Sequence, residues 1–403
     1  MLVNSQLVTG RYMSQTGQTQ LAGILSVILL VLSSFLAGVG FGIYAPLIPI
    51  QATELGAPEA IATATVMALP SILAVLVMLP IGIFADKTGR RKEIVVVGVL
   101  LGAVFNALLG VATSWVELAI YRTLAGIPFA LMSIFLSIAV LIAPERLRGT
   151  VIAIMGGSMM LGMGISQMFA GAVFTALGGS YQALYFLAAA VAFVAAIVLL
   201  PVKVPRVRLP AMKGSDILEA LRARGVYWTG MAILVYLVGW NLMYPSLPIV
   251  LTYIYEAPPE ISSLALGVAS LMLGLGTYIW GPIVDKLGGR RTLIFAILAS
   301  AITTFIMYPA LGNMWAYVVL FWAVTFFGVV GAPGTSYVAS KSVKPELISI
   351  ALSAIWMFTS LAGIIGGFIA GPSIASLGLA TTILVAAVIE LIGGILMFGL
   401  PKV

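Results

Sequence analysis

The sequence predicts an all-α polytopic membrane protein with twelve transmembrane helices in two pseudo-symmetric six-helix bundles. Three observations predict it. Hydrophobic residues make up 62% of the chain and charged residues 8%, whereas a soluble domain carries roughly 25% charged residues. Apolar runs of about 20 residues, long enough to cross a bilayer, recur along the chain. A charged turn is also written twice, as Gly82-Ile-Phe-Ala-Asp86-Lys-Thr-Gly89-Arg90-Arg91-Lys92 and as Gly281-Pro-Ile-Val-Asp285-Lys-Leu-Gly288-Gly-Arg290-Arg291. Asp86 and Asp285 are 199 residues apart (285 − 86) in a chain of 403, so one design fills each half.

The elements follow in order. Residues 1–20 are polar with one charge, Arg11, and read as a mobile cytoplasmic tail. No basic start, short apolar run and cleavage site is present there, so no signal peptide is read. The first bundle, 21–200, has spans near 21–50, 58–84, 94–112, 115–142, 150–176 and 182–200. Residues 201–225 form a cytoplasmic linker carrying Lys203, Arg206, Arg208, Lys213, Arg222 and Arg224. Its segment 214–224 suits a short amphipathic helix at the membrane surface. The second bundle, 226–403, has spans near 226–254, 260–283, 292–310, 313–339, 347–375 and 379–400.

Charge fixes the orientation. In this twelve-span arrangement every Lys and Arg except Arg122 falls on one side. The other side carries Glu54, Glu59, Glu256 and Glu260, with Glu117 near its surface. By the positive-inside rule this is a multi-pass cell-membrane protein with both termini cytoplasmic. A miscount by one helix would scatter these charges over both faces.

The repeat extends beyond the turn. Gly40, Pro46 and Pro49 recur as Gly239, Pro245 and Pro248; Trp115 recurs as Trp315, and Ala170-Gly171 as Ala370-Gly371. Pro144-Glu145 likewise recurs as Pro345-Glu346.

Composition also excludes. The chain has no cysteine and no histidine, which removes thiolate chemistry, the commonest metal ligand and the usual general base. No metal site, cofactor or enzyme activity is expected, and any proton chemistry falls to Asp or Glu. No P-loop is present for an ATP-driven pump. A hydrolase would need paired Asp, and Asp86 and Asp285 sit at the membrane edge. The net charge of +7 resides in membrane-facing loops, so the bilayer is the partner rather than nucleic acid.

The turn has its own physics. Gly82 and Gly89 permit close approach and a tight reversal. Asp beside Lys and Arg suits a salt-bridged gate at a membrane surface, where a low dielectric strengthens charge pairs. The alternative is that these cations only set topology.

On these residues the whole chain resembles the major facilitator superfamily. The turn at 82–91 is similar to that family's loop between helices 2 and 3, G-x-L-A-D-R-x-G-R-K, with Phe84 for Leu and Lys87 for Arg. The second copy lacks the Ala before Asp285 and inserts Gly289. The resemblance implies a gating latch on the outward-open state at Gly82, Asp86, Gly89, Arg90 and Arg91, accompanied by Glu145 and Arg148, with Asp285, Arg290 and Arg291 in the second copy. It also implies a working monomer. Gly40, Pro46 and Pro49 resemble an exporter pattern in helix 1. Arg122-Thr-Leu-Ala-Gly126 resembles the R-x-x-Q-G motif of proton-coupled members, with Ala125 for Gln. Helix 5 lacks the proline of the antiporter motif G-P-x-x-G-G, but its glycines suit close helix packing.

Arg122 is the one cation inside a predicted span. Placing a charge there costs roughly 2.5–3.5 kcal/mol, so it either serves an anionic substrate or a coupling carboxylate, or it bonds to backbone carbonyls. Glu117 is five residues away, about 140° around the helix, too far round for a good pair. Glu390 lies mid-span in helix 12. By the resemblance, the central cavity draws on Arg122, Tyr44, Gln167, Tyr236, Trp240, Asn241, Tyr244, Tyr278, Trp322 and Trp356. Rings with one polar atom suit planar drugs and sugars, although lipid-facing aromatics look the same in sequence. Trp240 and Asn241 are adjacent, so both cannot face the cavity squarely.

The expected activity is secondary transport of a small-molecule substrate by alternating access, first as efflux of an apolar drug-like compound or metabolite, with protons as the candidate coupling ion. The alternatives are uptake or exchange of an organic anion or sugar anchored by Arg122, and a membrane sensor without transport.

Overall fold

A computed structural model of the chain describes residues 3–142, 148–207, 214–344 and 347–401. Side chains are described for most of these, but not for 3–22, 214–217 and a few interior positions that include Asp86 and Arg148. All regular structure among the described residues is helical. In lipid a lone segment meets its own backbone hydrogen bonds only as a helix.

Helix α1 runs Val3–Gly42 and resumes as Ile48–Glu54. Its first part covers residues 3–20, the stretch expected to be a cytoplasmic tail. No proline lies between Val3 and Gly42, so nothing interrupts the ladder until Pro46. Helix α2 is Glu59–Ala64 followed by Ala68–Thr88, α3 is Arg91–Gly110, and α4 is Trp115–Leu124, Gly126–Ala130 and Met132–Ile142. Helix α5 is Arg148–Ala176 and α6 is Tyr181–Leu199. The linker carries the expected short helix, Gly214–Arg222.

The second half repeats the order. Helix α7 is Arg224–Met243, continued by Leu247–Ile249 and Val250–Ile254; α8 is Pro259–Leu287, α9 is Gly289–Met307, and α10 is Met314–Gly328 and Gly331–Lys341. Helices α11 and α12 share the stretch Ile348–Leu396 and part at Gly378, whose φ of 78° and ψ of 161° are not helical. The result is the predicted pair of six-helix bundles.

Local chemistry sets the ends. Ser114 caps α4 by accepting from the Glu117 N–H, and Asn313 caps α10 by accepting from the Ala316 N–H. Each side chain satisfies a backbone donor that the first turn leaves unpaired. Gly89 closes α2 at φ 67° and Gly288 closes α8 at φ 83°, a region glycine enters without a β-carbon clash.

Each half has its own core. In the first, Leu30, Val95, Phe135, Met155 and Ala195 pack together; in the second, Tyr236, Leu293, Phe321 and Ile383 do. The halves meet along α5 against α8 and α2 against α11. Gly164 lies on Leu271, and Gly367 lies on Ala68. Small residues let these backbones approach, the usual device where apolar burial gives no drive between helices.

Candidate functional site

In the first half the site is built around Arg122. Helix α2 is broken between Ala64 and Ala68, which leaves the Thr65 and Val66 carbonyls outside the helical ladder. Pro70 has no N–H to return to Val66. Arg122 supplies the missing donors: its Nε bonds the Thr65 carbonyl at 2.6 Å and one terminal nitrogen bonds the Val66 carbonyl at 2.9 Å. The other terminal nitrogen donates to the Tyr44 hydroxyl at 2.9 Å. The guanidinium also lies over the Phe41 ring, 4.6 Å from its centre. Gly126, one turn on, lets α4 close on α2, because a β-carbon there would overlap the Pro70 carbonyl. Arg122 is 0% exposed.

Glu117 does not pair with it. Its carboxylate accepts from the Thr113 N–H at 2.8 Å and the Thr113 hydroxyl at 3.0 Å, at the start of its own helix.

The second half offers rings and hydroxyls in place of a cation. Trp240 stacks on Tyr244, with ring centres 4.3 Å apart. The Tyr244 hydroxyl bonds Ser270 of α8 at 2.9 Å, and Ser270 donates to the Gln167 side-chain oxygen of α5 at 2.5 Å. This chain of polar groups joins the two halves. Asn241 turns away, donating to the Leu237 carbonyl at 2.7 Å and packing on Gly366 of α11. Trp322 donates to the Ala265 carbonyl at 2.8 Å. Tyr236 bonds Ser300 of α9 at 3.0 Å.

The halves are closed at the end that carries Glu54, Glu59, Glu256 and Glu260, here the acidic end. The repeated Ala-Gly pair sits at this closure. A β-carbon at Gly171 would overlap the Pro259 backbone at the start of α8, and one at Gly371 would overlap the Glu59 backbone at the start of α2. Thr63 of α2 donates to the Gly367 carbonyl at 2.8 Å and accepts from the Gly371 N–H at 3.2 Å. Thr175 of α5 donates to the Glu260 carboxylate at 2.6 Å.

Toward the basic end the inner faces open. Residues 356, 363 and 367 share one face of α11 by helical spacing. Gly363 and Gly367 face Ser71 and Ala68 of α2, yet Trp356, two turns below, is 50% exposed. Tyr278, on the α5-facing side of α8 against Gly157, is 40% exposed.

The turns at the basic end bond within their own halves. Arg91 is buried and donates to the Val207 carbonyl of the linker at 2.6 Å, while Arg90 is exposed. Arg290 donates to the Phe398 carbonyl at 2.7 Å; Asp285 and Arg291 are exposed. Gly82 has open space where a side chain would lie. Glu145 and the side chains of Asp86 and Arg148 lie outside the described residues. Reading the sequence missed Thr63, Ser270, Ser300 and the two carbonyls at 65 and 66. Of these only the carbonyl pair had a signal, Pro70 four residues after Val66.

The comparisons agree with this geometry. The sequence pattern of the Major Facilitator Superfamily matches residues 30–249 and again 229–403. The uncharacterized MFS-type transporter MJ1317 of Methanocaldococcus jannaschii is 31% identical over 99 residues, 25% of each chain. The inner membrane transport protein YnfM of Escherichia coli strain K12 is 26% identical over 129 residues, 32% of this chain and 30% of that one. The matched stretches thus span a third or less of these two relatives. The fold is similar to a bacterial homolog of the human lysosomal transporter Spinster, solved inward-facing and unoccupied, with TM-score 0.73, 16% identity and 94% and 96% of the two chains covered. It is also similar to the human organic anion transporter MFSD10 (TETRAN), with TM-score 0.68, 14% identity and 93% and 99% covered. Two six-helix halves closing on a repeated glycine pair, and a family pattern matching almost the whole chain, place the protein in the major facilitator superfamily.

Proposed function

We propose that the protein is a secondary active transporter that exports a small apolar drug-like compound or metabolite by alternating access. The observation that carries this reading is the use made of Arg122. Its guanidinium is fully buried and spent on Tyr44 and two backbone carbonyls, while the half-exposed inner face offers the Trp356 ring. Such a face suits an apolar, planar cargo. With both termini cytoplasmic, the closed acidic end is the outer one, and this state opens inward. Asp86, Arg90, Arg91, Glu145 and Arg148 then form the latch that closes the basic end in the opposite state. The protein works as a monomer in the cell membrane, with protons as the coupling ion.

A second reading has one observation in its favour. No carboxylate neutralises Arg122 among the described residues, so its charge remains to attract a carboxylate or phosphate. Uptake or exchange of an organic anion, anchored at Arg122, follows from that.

A thermal-shift screen of the purified protein in detergent separates the two. The panel holds lipophilic cations, neutral drugs, sugars and organic anions, on wild type and Arg122→Lys, because ligands that bind the folded state raise its apparent melting temperature. Stabilisation by apolar compounds that survives in the variant supports export. Stabilisation by anions alone, lost in the variant, overturns it for the anion reading.

A further inference from the structure

Glu390 of α12 is a buried carboxyl that the central site does not use. It is 0% exposed. Its Oε2 accepts from Ser300 and from Thr304 of α9, each at 3.1 Å, and its Oε1 has no hydrogen-bond partner. Helix α7 closes on it through Gly239, where a β-carbon would crowd the Glu390 side chain. Among the described residues no counter-ion faces it. Residues 225–255, 292–340 and 347–401 contain no charged residue except Glu390 itself, and Tyr236 is the titratable group that α7 presents, linked through Ser300. A carboxylate held in lipid depth without a cation is costly and functional by default.

We propose that Glu390 is the proton-carrying group of the transport cycle and that Ser300 and Tyr236 report its state to α7. The step is a simple one: a proton from the aqueous side adds to the carboxylate to give the acid, and no other bond changes. The hydrogen-bond chain converts this into movement. With the carboxylate, Tyr236 donates to Ser300 and Ser300 donates to Glu390. With the acid, the Glu390 O–H donates to Ser300, whose hydrogen turns to Tyr236, and the Tyr236 hydroxyl must find a new acceptor. It lies beside Gly328 of α10, which leaves room for it. Tyr236, Trp240 and Tyr244 lie on one face of α7 at four-residue spacing. Tyr244 leads through Ser270 to Gln167 in the other half. Reversal of the chain at Glu390 therefore bears on the contact between the halves.

This inference rests on the transport reading, and its test needs no substrate. The chain has no cysteine, so Ala57→Cys and Ser376→Cys place two spin labels at the acidic end, where α2 meets α11. Their separation is followed against pH by pulsed electron paramagnetic resonance on the full chain in lipid nanodiscs. Infrared difference spectra on the same samples follow the acid C=O band. The expected result is a pH-driven shift between two distance populations in the otherwise wild-type chain. E390Q, which imitates the acid, holds the low-pH population at every pH and loses the infrared band. Tyr236→Phe keeps the band and loses the distance change. Distances that ignore pH in the wild-type background, or an E390Q protein that titrates like it, overturn the proposal. If E390Q does not fold, Tyr236→Phe decides, since a persisting distance change there overturns it. A protein that exports a dye from cells while its label distances ignore pH keeps the transport reading and loses this one.

Discussion

Arg122 and Trp322 occupy equivalent positions, 200 residues apart (322 − 122), and make the same bond. Arg122 Nε donates to the Thr65 carbonyl, and Trp322 Nε1 donates to the Ala265 carbonyl, itself 200 residues further on (265 − 65). In each half the fourth helix ties its side chain to the backbone of the second. One half has a cation there and the other an indole. The repeat has kept a structural bond while changing the charge that makes it.

Arg122→Ala should therefore cost more than Trp322→Phe. The first strands two carbonyls and the Tyr44 hydroxyl; the second strands one carbonyl. With hydrogen bonds to charged groups at roughly 1.5–3 kcal/mol and neutral ones near 1 kcal/mol, we expect losses of about 5 and about 1 kcal/mol. Apparent melting temperatures in detergent should fall in that order, with Arg122→Lys between them. Equal losses would remove the case for Arg122 as a tie between α2 and α4.

Gly171→Leu and Gly371→Leu should each hold the acidic end open. Both positions press on the backbone of the partner half, where no side chain fits. The measurement is modification by a membrane-impermeant maleimide of a cysteine introduced at Ser71, on α2 facing α11. Labelling from the acidic side should rise at least tenfold. Gly281→Ala, with open space at its β-carbon, is the control and should behave as wild type.

Thr63→Val keeps the shape of the side chain and removes both of its bonds to α11. At about 1 kcal/mol per bond the closed acidic end should lose about 2 kcal/mol, a roughly thirtyfold change in the open-to-closed ratio. The same labelling assay reads it. An unchanged rate would mean that glycine packing alone sets the closure.

Gly89→Ala should destabilise by roughly 1–2 kcal/mol, since an L-residue is held at φ 67° against the clash of its β-carbon. Gly82→Ala, seven residues earlier in the same motif, should be neutral, because Gly82 is helical with open space beside it. Thermal unfolding of the two variants checks the contrast.

The class, the twelve spans and the twofold repeat were legible because lipid imposes one rule on every residue. Spans must be apolar and about 20 residues long, so counting works without knowing any contact. Repeated pairs such as Ala170-Gly171 and Ala370-Gly371 were visible as letters, and the structure gives them a shared task at the acidic end. The site was less legible. Asn241 and Trp240 looked alike as cavity candidates, and packing turned one toward Gly366 and the other onto Tyr244.

By itself the sequence determined where the chain crosses the membrane, where it turns and that one half restates the other. Those properties depend on local composition and on spacing along the chain. Only the tertiary structure decided how Arg122 is spent, that Ser270 carries Tyr244 across to Gln167, and that Glu390 sits among hydroxyls without a cation. Those depend on which helices stand side by side, and hydroxyls and carbonyls leave no distinguishing pattern in a sequence where every span is apolar.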